Sequence, residues 1–263
     1  WQRDSYFMGH PSKKTYHHIF LTDTDIRSLV DELGLHDNLV WKNSTMGVYY
    51  GGKTYPFGTA GQLLNFKPLP FVDRIRLGLI ALYLQKTKNW KRFIPIPAAQ
   101  WMKKWCGAAA YRVMWEPLLQ GKFHRFAPNV SMAWLWARIH TRANSKPNPL
   151  AKEQLGYFLG GFNVIVEALV KELTKNKVSI HTGTPVQEVR SDAKGCEVVL
   201  KDGSAHSFDR IIVTAPSSVF ASFVEKHPAV TPAYTAQLRS IDYLGAVCMD
   251  FSSSQSLSHY YWT

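Results

Sequence analysis

The residues best placed to do chemistry are a glycine pair and a few side chains in a basic region. Gly160 and Gly161 immediately precede a segment of helical periodicity, so the backbone there could approach a flat or anionic ligand closely. A tight turn from a strand into a helix accounts for the same pair. The pair alone therefore does not decide between a binding site and a turn.

Basic side chains supply the second candidate site. Lys122, Arg138 and His140 could contact an anionic group of a substrate, although surface charge or a salt link to Glu116 would explain them as well. Residues 67–146 hold fifteen lysines and arginines against two carboxylates, whereas the whole chain carries a formal charge of +12. This region should attract a phosphorylated or carboxylated small molecule, an anionic lipid or a nucleic acid. A solvated basic face is the alternative.

Several catalytic patterns do not occur in this sequence. It contains no GxGxxG, no P-loop, no GxSxG and no HExxH, so it offers neither a nucleotide-phosphate fingerprint nor a hydrolase signature. Cys106, Cys196 and Cys248 are too far apart for a zinc motif, and their odd number favours a reducing compartment. The adjacent His17 and His18 would point to different faces of an element, which argues against a shared metal and leaves an active-site role open.

The elements that would position these residues are helices in the first part of the chain and mixed structure after a linker at 143–151. A hairpin is expected to close on Gly51-Gly52, because two-residue turns need positive φ. The spacing of apolar residues predicts helices over 24–33, 73–85, 98–106, 132–142 and 163–175. Strands are predicted over 178–181, 185–190, 196–201, 206–209, 210–215 and 241–251.

The order of these segments resembles that of a known family. The run 157–162, the helix after it, the segment 184–189, the turn at Asp202-Gly203 and the run 209–216 follow the pattern of the FAD-dependent amine oxidase and protoporphyrinogen oxidase superfamily. The helical part is similar to the substrate domain of bacterial members of this superfamily. That closer similarity rests on the segments 16–20, 115–119, 121–123 and 133–138.

The resemblance implies a mixed α/β fold class, in which a partial FAD-binding α/β domain carries an inserted helical substrate domain. It divides the chain into an entry segment with a small β-hairpin region at 1–58, a helical substrate or lid domain at 59–150, part of the FAD-binding domain at 151–220 and a strand region of the substrate domain at 221–263. In the family, an N-terminal GxGxxG and a C-terminal segment complete the flavin site. We therefore expect this chain to be the interior of a longer flavoenzyme and to be inactive by itself.

The resemblance also assigns site residues. FAD would be the cofactor, and the residues expected to contact it are Gly160, Gly161, Pro185, Val186, Ala215 and Pro216. Val186 would meet the adenine through its backbone. The substrate cavity would be lined by Lys122, Trp134, Arg138 and His140. No metal is expected, and the catalytic residues are left unassigned.

The activity implied is that of an FAD-dependent oxidoreductase that transfers a hydride from a C–N or C–C bond of a small or lipophilic substrate to flavin. One alternative is a flavoenzyme similar to UDP-galactopyranose mutase, because a basic lid would suit a diphosphate substrate. Another is a basic module that binds nucleic acid or membranes without catalysis. The basic residues are scattered among Trp and Leu, so we expect no specific nucleic acid partner. We expect a cytoplasmic location. Helix 73–85 is amphipathic with basic flanks, so it could also lie on a membrane surface.

Overall fold

The computed structural model describes residues 5–7, 10–12, 18–147, 151–192, 195–245, 247, 249, 253–255 and 258–263. The chain forms two compact units, one of Trp1–Glu172 with Cys248–Thr263 and the other of Leu173–Val247. This division follows compactness alone. The domain limits expected from the resemblance, at 58, 150 and 220, stay predictions.

The first unit combines short strands with a series of helices. Its strands are β1 Ser5–Phe7, β2 His10–Ser12, β3 Ile19–Phe20, β4 Leu39–Asn43, β5 Met46–Tyr50, β6 Lys53–Phe57 and β7 Gln154–Phe158. Its helices are α1 Thr24–Glu32, α2 Ala60–Leu64, α3 Phe71–Lys86, α4 Ala98–Cys106, α5 Ala108–Ala110, α6 Glu116–Phe123 and α7 Met132–Asn144, and α8 Asn163–Lys175 follows β7. The predicted helices are confirmed. The hairpin of β5 and β6 turns on Gly51 and Gly52, both at positive φ, as expected.

The main hydrophobic core of this unit lies among its helices. Its fully buried large side chains are Phe66, Leu69, Leu84, Phe93, Met102, Leu119, Met132 and Leu135. The indole N–H of Trp136 donates to the carbonyl oxygens of Leu84 and Thr87, each at 3.1 Å, and so joins α7 to the end of α3. Ten of the chain's Phe, Tyr and Trp residues lie in or against this core.

A small antiparallel sheet stands beside the helices, with β7 between β3 and β4. Gly156 lies at its centre, opposite Ile19 on one side and Trp41 on the other. A Cβ atom at Gly156 would lie 2.6 Å from Cγ1 of Ile19 and 3.1 Å from Cη2 of Trp41. The sheet therefore accommodates only glycine at this point without a shift of its neighbours.

Ser145 connects this sheet to helix α7. Its hydroxyl is fully buried at the end of α7, accepts the N–H of Leu21 and donates to the carbonyl oxygen of Gln154, both at 2.9 Å. The N–H of Gln154 in turn donates to the carbonyl oxygen of Ser145 at 3.0 Å. Because buried polar groups need partners, these bonds fix α7 against the ends of β3 and β7.

The second unit is built on a three-stranded antiparallel sheet. Its strands are β8 Val186–Asp192, β9 Gly195–Leu200 and β10 Ala205–Phe208, with β9 in the middle, and its helices are α9 Ser217–Val224 and α10 Pro232–Arg239. The predictions of strands near 185–190, 196–201 and 206–209 are confirmed. Helix α9 packs on β8 and α10 packs on α9.

Two predicted strands do not form. Residues 178–181 and 210–215 have no strand hydrogen bonds, so the prediction of strands there is wrong for this structure. Ile212 is 91% exposed, although the continuous apolar run at 210–215 is typical of a strand covered on both faces. A strand needs a neighbouring backbone, and in the described part of the chain none pairs with either segment. Residues 241–245 are likewise unpaired, and much of the predicted strand 241–251 lies outside the described residues.

None of the helices in the described ranges combines the length and the apolar character needed to cross a lipid bilayer. Cys106 is a buried free thiol and Cys196 a half-buried one, while Cys248 lies outside the described residues. Burial raises the pKa of the Cys106 thiol to about 12, so this cysteine behaves as an apolar core residue rather than a nucleophile.

Candidate functional site

The first unit brings titratable and aromatic side chains together where β3, β7, α7 and the last described residues of the chain meet. This His18 cluster consists of His18, Arg138, Arg142, Glu153, Tyr157, Tyr261 and Trp262. The ring centre of His18 lies 6.5 Å from that of Tyr157 and 6.3 Å from that of Trp262. The hydroxyl groups of Tyr157 and Tyr261 are hydrogen-bonded to each other.

Backbone pairing positions the aromatic side of the cluster. His18 directly precedes β3, and Tyr157 lies in β7 opposite Val40 of β4. The N–H groups of Tyr261 and Trp262 donate to the carbonyl oxygen of Thr45, each at 3.0 Å. The N–H of Gly47 donates to the carbonyl oxygen of Trp262 at 2.7 Å, so this segment is bound to the beginning of β5.

Helix α7 supplies the cations of the cluster. Arg138 and Arg142 are one helical turn apart and lie on one stripe of the helix. Arg142 pairs with Glu153 through two bonds, Nε to Oε1 at 2.8 Å and Nη2 to Oε2 at 3.1 Å. Its guanidinium also lies 5.9 Å from the ring centre of Trp262. This two-point geometry is the strong form of an arginine–carboxylate pair.

The surroundings keep the imidazole of His18 neutral. Burial, then the cations of Arg142 and Arg138, lower the pKa of His18 from 6.5 to about 4, against the opposing effects of Glu153 and Asp23. Arg142 acts more strongly than Glu153, and Arg138 more strongly than Asp23. Two cations and two carboxylates thus act on His18 in opposite directions, and burial is the largest cause of its lowered pKa.

The two tyrosines of the cluster keep their protons near pH 7. Burial raises the pKa of Tyr157 to about 12, with a smaller contribution from Glu153, and burial raises that of Tyr261 to about 12. Arg138 is an exposed residue, yet partial burial and then the nearby Arg142 lower its pKa. At neutral pH the cluster thus presents a neutral imidazole and two neutral phenols beside arginine cations.

Of the predicted substrate-lining residues, Arg138 is a member of this cluster. Trp134 packs edge-on against Phe123 at 4.7 Å, and His140 stacks on Trp136 at 4.7 Å, so both belong to the packing of the helices. Lys122 is exposed on the last turn of α6. The roles expected for these residues toward a substrate stay predictions.

The glycine pair forms the turn from β7 into α8. Gly160 and Gly161 adopt φ values of 87° and 82°, which favour glycine, and the N–H of Gly161 donates to the carbonyl oxygen of Phe158 at 2.9 Å. A Cβ atom at Gly160 would lie 3.0 Å from Cγ2 of Val164. The tight turn is therefore present, and a contact of this turn with FAD stays a prediction.

The remaining residues expected to contact FAD lie in the second unit. Val186 opens β8 opposite Leu200, and the carbonyl oxygen of Pro185 accepts the N–H of Lys201 at 3.0 Å. Pro216 immediately precedes α9. Ala215 lines an open depression of about 350 Å³ together with Ile211, Val213, Ser217 and Phe220. The depression is open, and its exposed lining is more polar than apolar. A contact of Pro185, Val186, Ala215 or Pro216 with FAD stays a prediction.

Sequence reasoning missed most of the His18 cluster. The sequence pointed to His18 as part of the run 16–20, but it did not single out Tyr157, Tyr261 or Glu153. Tyr16 and His17 of that run lie outside the described residues. Two signals were available: the aromatic run Tyr260-Tyr261-Trp262, and Tyr157 three residues before the pair Gly160-Gly161. Neither signal shows that residues 104 positions apart in sequence share a hydrogen bond.

The chain belongs to the family of flavin containing amine oxidoreductases, which it matches over residues 2–252. The family is flavin-dependent, so FAD is the cofactor that membership implies. The resemblance noted in the sequence is thereby confirmed, as is the mixed α/β class. No curated protein matches the sequence significantly.

Solved structures show the same fold at low sequence identity. A putrescine oxidase with redesigned cofactor binding has a TM-score of 0.63 and 11% identity, over 90% of this chain and 54% of that one. A candidate protoporphyrinogen oxidase from Exiguobacterium sp. 255-15 has a TM-score of 0.60 and 15% identity, over 86% and 53%. A fatty acid isomerase from P. acnes, described as producing CLA, has a TM-score of 0.56 and 12% identity, over 89% and 54%. The chain spans about half the length of each of these proteins.

Proposed function

We propose that this chain forms part of an FAD-dependent oxidoreductase that removes a hydride from a C–N or C–C bond of a small or lipophilic substrate. The observation that carries the proposal is the family match, which extends over nearly the whole chain. Within the described residues, Ala215 and its neighbours and the Gly160–Gly161 turn are the surfaces we assign to cofactor contact.

The reaction is a two-electron oxidation of the substrate. A C–H bond breaks, its electron pair leaves as hydride, and the product is an imine or an alkene once the remaining proton is lost. When bound, the flavin supplies the hydride acceptor, and molecular oxygen or another acceptor reoxidises it. The residues of this chain contribute by binding and orienting the substrate and by excluding water.

The charges of the His18 cluster bear on whether the substrate is cationic, uncharged or anionic. The imidazole and both phenols are neutral near pH 7, and within the cluster two arginine cations stand against the single carboxylate of Glu153. The carboxylate of Glu153 is already engaged by Arg142 at two points. We therefore infer that this face suits an uncharged or anionic substrate better than a cationic polyamine, with Arg138 as the group that would meet a carboxylate.

The experiment is to produce the protein from its complete open reading frame. We expect it to purify yellow, to release flavin on denaturation, and to lose its yellow colour when a substrate is added without oxygen. Arg138→Gln should raise KM for substrates that bear a carboxylate while leaving KM for uncharged ones unchanged. Arg125→Gln, which removes an exposed cation elsewhere, is the matched control. A folded but colourless protein would contradict the proposal.

A second candidate is a flavoenzyme without net oxidation, as in the mutase-like alternative considered from the sequence. It is favoured by the presence of an isomerase among the proteins that share the fold. Turnover would then require reduced flavin and consume no oxidant, and measurement of oxygen or dye reduction separates the two. A binding module without catalysis would bind neither flavin nor substrate.

A further inference from the structure

Helix α3 exposes an apolar surface that nothing in the described part of the chain covers. This α3 surface consists of Phe71, Val72, Ile75, Leu79, Leu82 and Tyr83. Val72 is 67% exposed, Leu79 61% and Leu82 57%. Ile75, Leu79 and Leu82 follow one another at helical spacing, so they form a continuous stripe rather than scattered positions.

The opposite face of α3 is apolar too, and it is already used. Leu77 and Leu84 are buried in the main hydrophobic core, and Ile80 packs against it. The apolar stripe that the sequence predicts as one side of an amphipathic helix is therefore the side that faces outward. A helix that is apolar on both faces normally has both faces covered, and exposed apolar patches of this kind mark interaction sites.

The chain is rich in basic residues in and around helix α3. Between residues 67 and 104 the chain has nine lysines and arginines, and Asp73 is its one acidic residue. Asp73 pairs with Arg76 at 3.7 Å, and Arg76 also bonds the carbonyl oxygen of Lys104 on α4 at 3.3 Å. The guanidinium of Arg92 bonds the Tyr83 hydroxyl and lies 5.4 Å from the centre of its ring. The guanidinium of Arg74 also lies 6.0 Å from the ring centre of Phe71, so two cations adjoin aromatic residues of the α3 surface directly.

Exposed tryptophans lie close to the same basic residues. Trp105 is 48% exposed, carries the ammonium of Lys104 at 5.4 Å from its ring centre, and packs on Trp101, which stacks on Tyr83. Trp90, which is also exposed, is next to Lys91 and Arg92 in sequence. Tryptophan rings beside cations are typical of protein surfaces that sit at the headgroup level of a bilayer.

We propose that the α3 surface binds the surface of an anionic lipid bilayer, with α3 lying in the plane of the interface. The apolar stripe would enter the boundary between headgroups and acyl chains, and the surrounding cations would meet the lipid phosphates. A second copy of the chain fits less well, because a two-fold interface would bring the same basic residues of both copies together. Lipid binding needs no cofactor, so it is tested independently of the proposed oxidase activity.

The test is sedimentation of the full-length protein with vesicles. Equal parts of phosphatidylglycerol and phosphatidylcholine should retain the protein, phosphatidylcholine alone should retain much less, and added salt should reduce binding. Leu79→Gln with Leu82→Gln should lower the partition coefficient about tenfold or more, because two apolar side chains no longer enter the interface. Replacing Lys103 and Lys104 by Gln should lower it about fivefold for each charge that contacts the lipid.

Matched controls keep the result specific. Leu118→Gln removes an exposed leucine from helix α6 and should bind vesicles like the wild type. All substituted positions are exposed, so circular dichroism and thermal unfolding should be unchanged. Equal binding to uncharged vesicles, or full binding by the Leu79→Gln, Leu82→Gln variant, would overturn the proposal. A third result would also overturn it: the wild type binds no vesicles but is a dimer, and the Leu79→Gln, Leu82→Gln variant is a monomer. The α3 surface would then bind a second copy of the chain.

Discussion

The charge state of His18 is decided by its surroundings rather than by its residue type. Histidine ordinarily titrates near the pH of the cell, but here burial and two arginine cations lower its pKa to about 4. The ring can therefore donate or accept a hydrogen bond near pH 7 without adding a charge. This matters for the proposed function, because a protonated His18 would add a third cation to the cluster.

A pH dependence of stability follows from this shift. The pKa of His18 in the folded protein lies below the value of 6.5 expected when the chain is unfolded, so the unfolded state binds more protons between pH 4 and 6.5. The contribution of His18 to the free energy of unfolding is therefore fully present above pH 6.5 and declines as the pH falls toward 4. Because His18 is only half-buried, we expect about 1 kcal/mol, less than full burial would give.

Two measurements check this expectation. An NMR titration of the His18 ring proton should give an inflection near pH 4, and urea unfolding should show lower stability at pH 4.5 than at pH 7. In His18→Gln, which has no titrating group at this position, the corresponding part of the pH dependence should disappear. An inflection close to pH 6.5 would show that the ring is not enclosed as the structure indicates.

At the scale of elements, β7 is the strand on which the first unit depends, since it pairs with both β3 and β4. In Gly156→Ala the new methyl group would lie 2.6 Å from Cγ1 of Ile19, closer than carbon atoms allow, and 3.1 Å from Cη2 of Trp41, a tight contact. Strand β3 or β7 must therefore shift, and the Trp41 side chain must give slightly. We expect a loss of about 2 kcal/mol in the free energy of unfolding and a displaced Tyr157. Urea unfolding measures the first effect.

Gly121→Ala is the matched control for this substitution. Gly121 lies in helix α6 with open space around its Cβ position, and alanine is the better helix former, so the variant should be as stable as the wild type or slightly more stable. If both variants unfold like the wild type, the close approach of the three strands at Gly156 is not real.

Helices could be predicted from this sequence more fully than strands, for a physical reason. The helices near 73–85, 98–106, 132–142 and 163–175 are all present, because their hydrogen bonds lie within the segment. The hairpin at Gly51-Gly52 was equally local. Residues 210–215 have the composition of a buried strand, yet a strand exists only beside another strand, and composition does not show whether that neighbour is there.

The candidate site was less predictable because it is assembled by contacts distant in sequence. Arg138 was chosen from its basic character, and it does lie in the His18 cluster. Trp134 and His140 were chosen on the same helix, but their rings pack against Phe123 and Trp136 within the helical part. Tyr157 and Tyr261 are placed by the register of β7 and by the hydrogen bond between their hydroxyl groups, and neither feature can be read from the sequence.

At the scale of the whole molecule, the two units differ in how completely their apolar segments are covered. The first unit has a large helical core, with α3 as its uncovered side. The second unit exposes apolar residues of 178–181 and 210–215, both with strand-like sequences. The chain corresponds to about half of the solved proteins that share its fold. Partner strands from the remainder of a longer protein would account for these exposed segments.

Hydrogen exchange tests this explanation directly. In the 263-residue chain alone, amides of 210–215 should exchange as fast as those of an unstructured segment, because they make no strand hydrogen bonds. In the protein made from its complete reading frame, they should be protected about as well as amides of β9, which has neighbours on both sides. Strand β9 should be protected in both samples and serves as the internal reference. Fast exchange at 210–215 in a yellow protein made from the complete reading frame would contradict this explanation, because the segment would then be unpaired there too. Its strand-like sequence would need another cause, such as direct packing of Ile211 and Val213 against the cofactor.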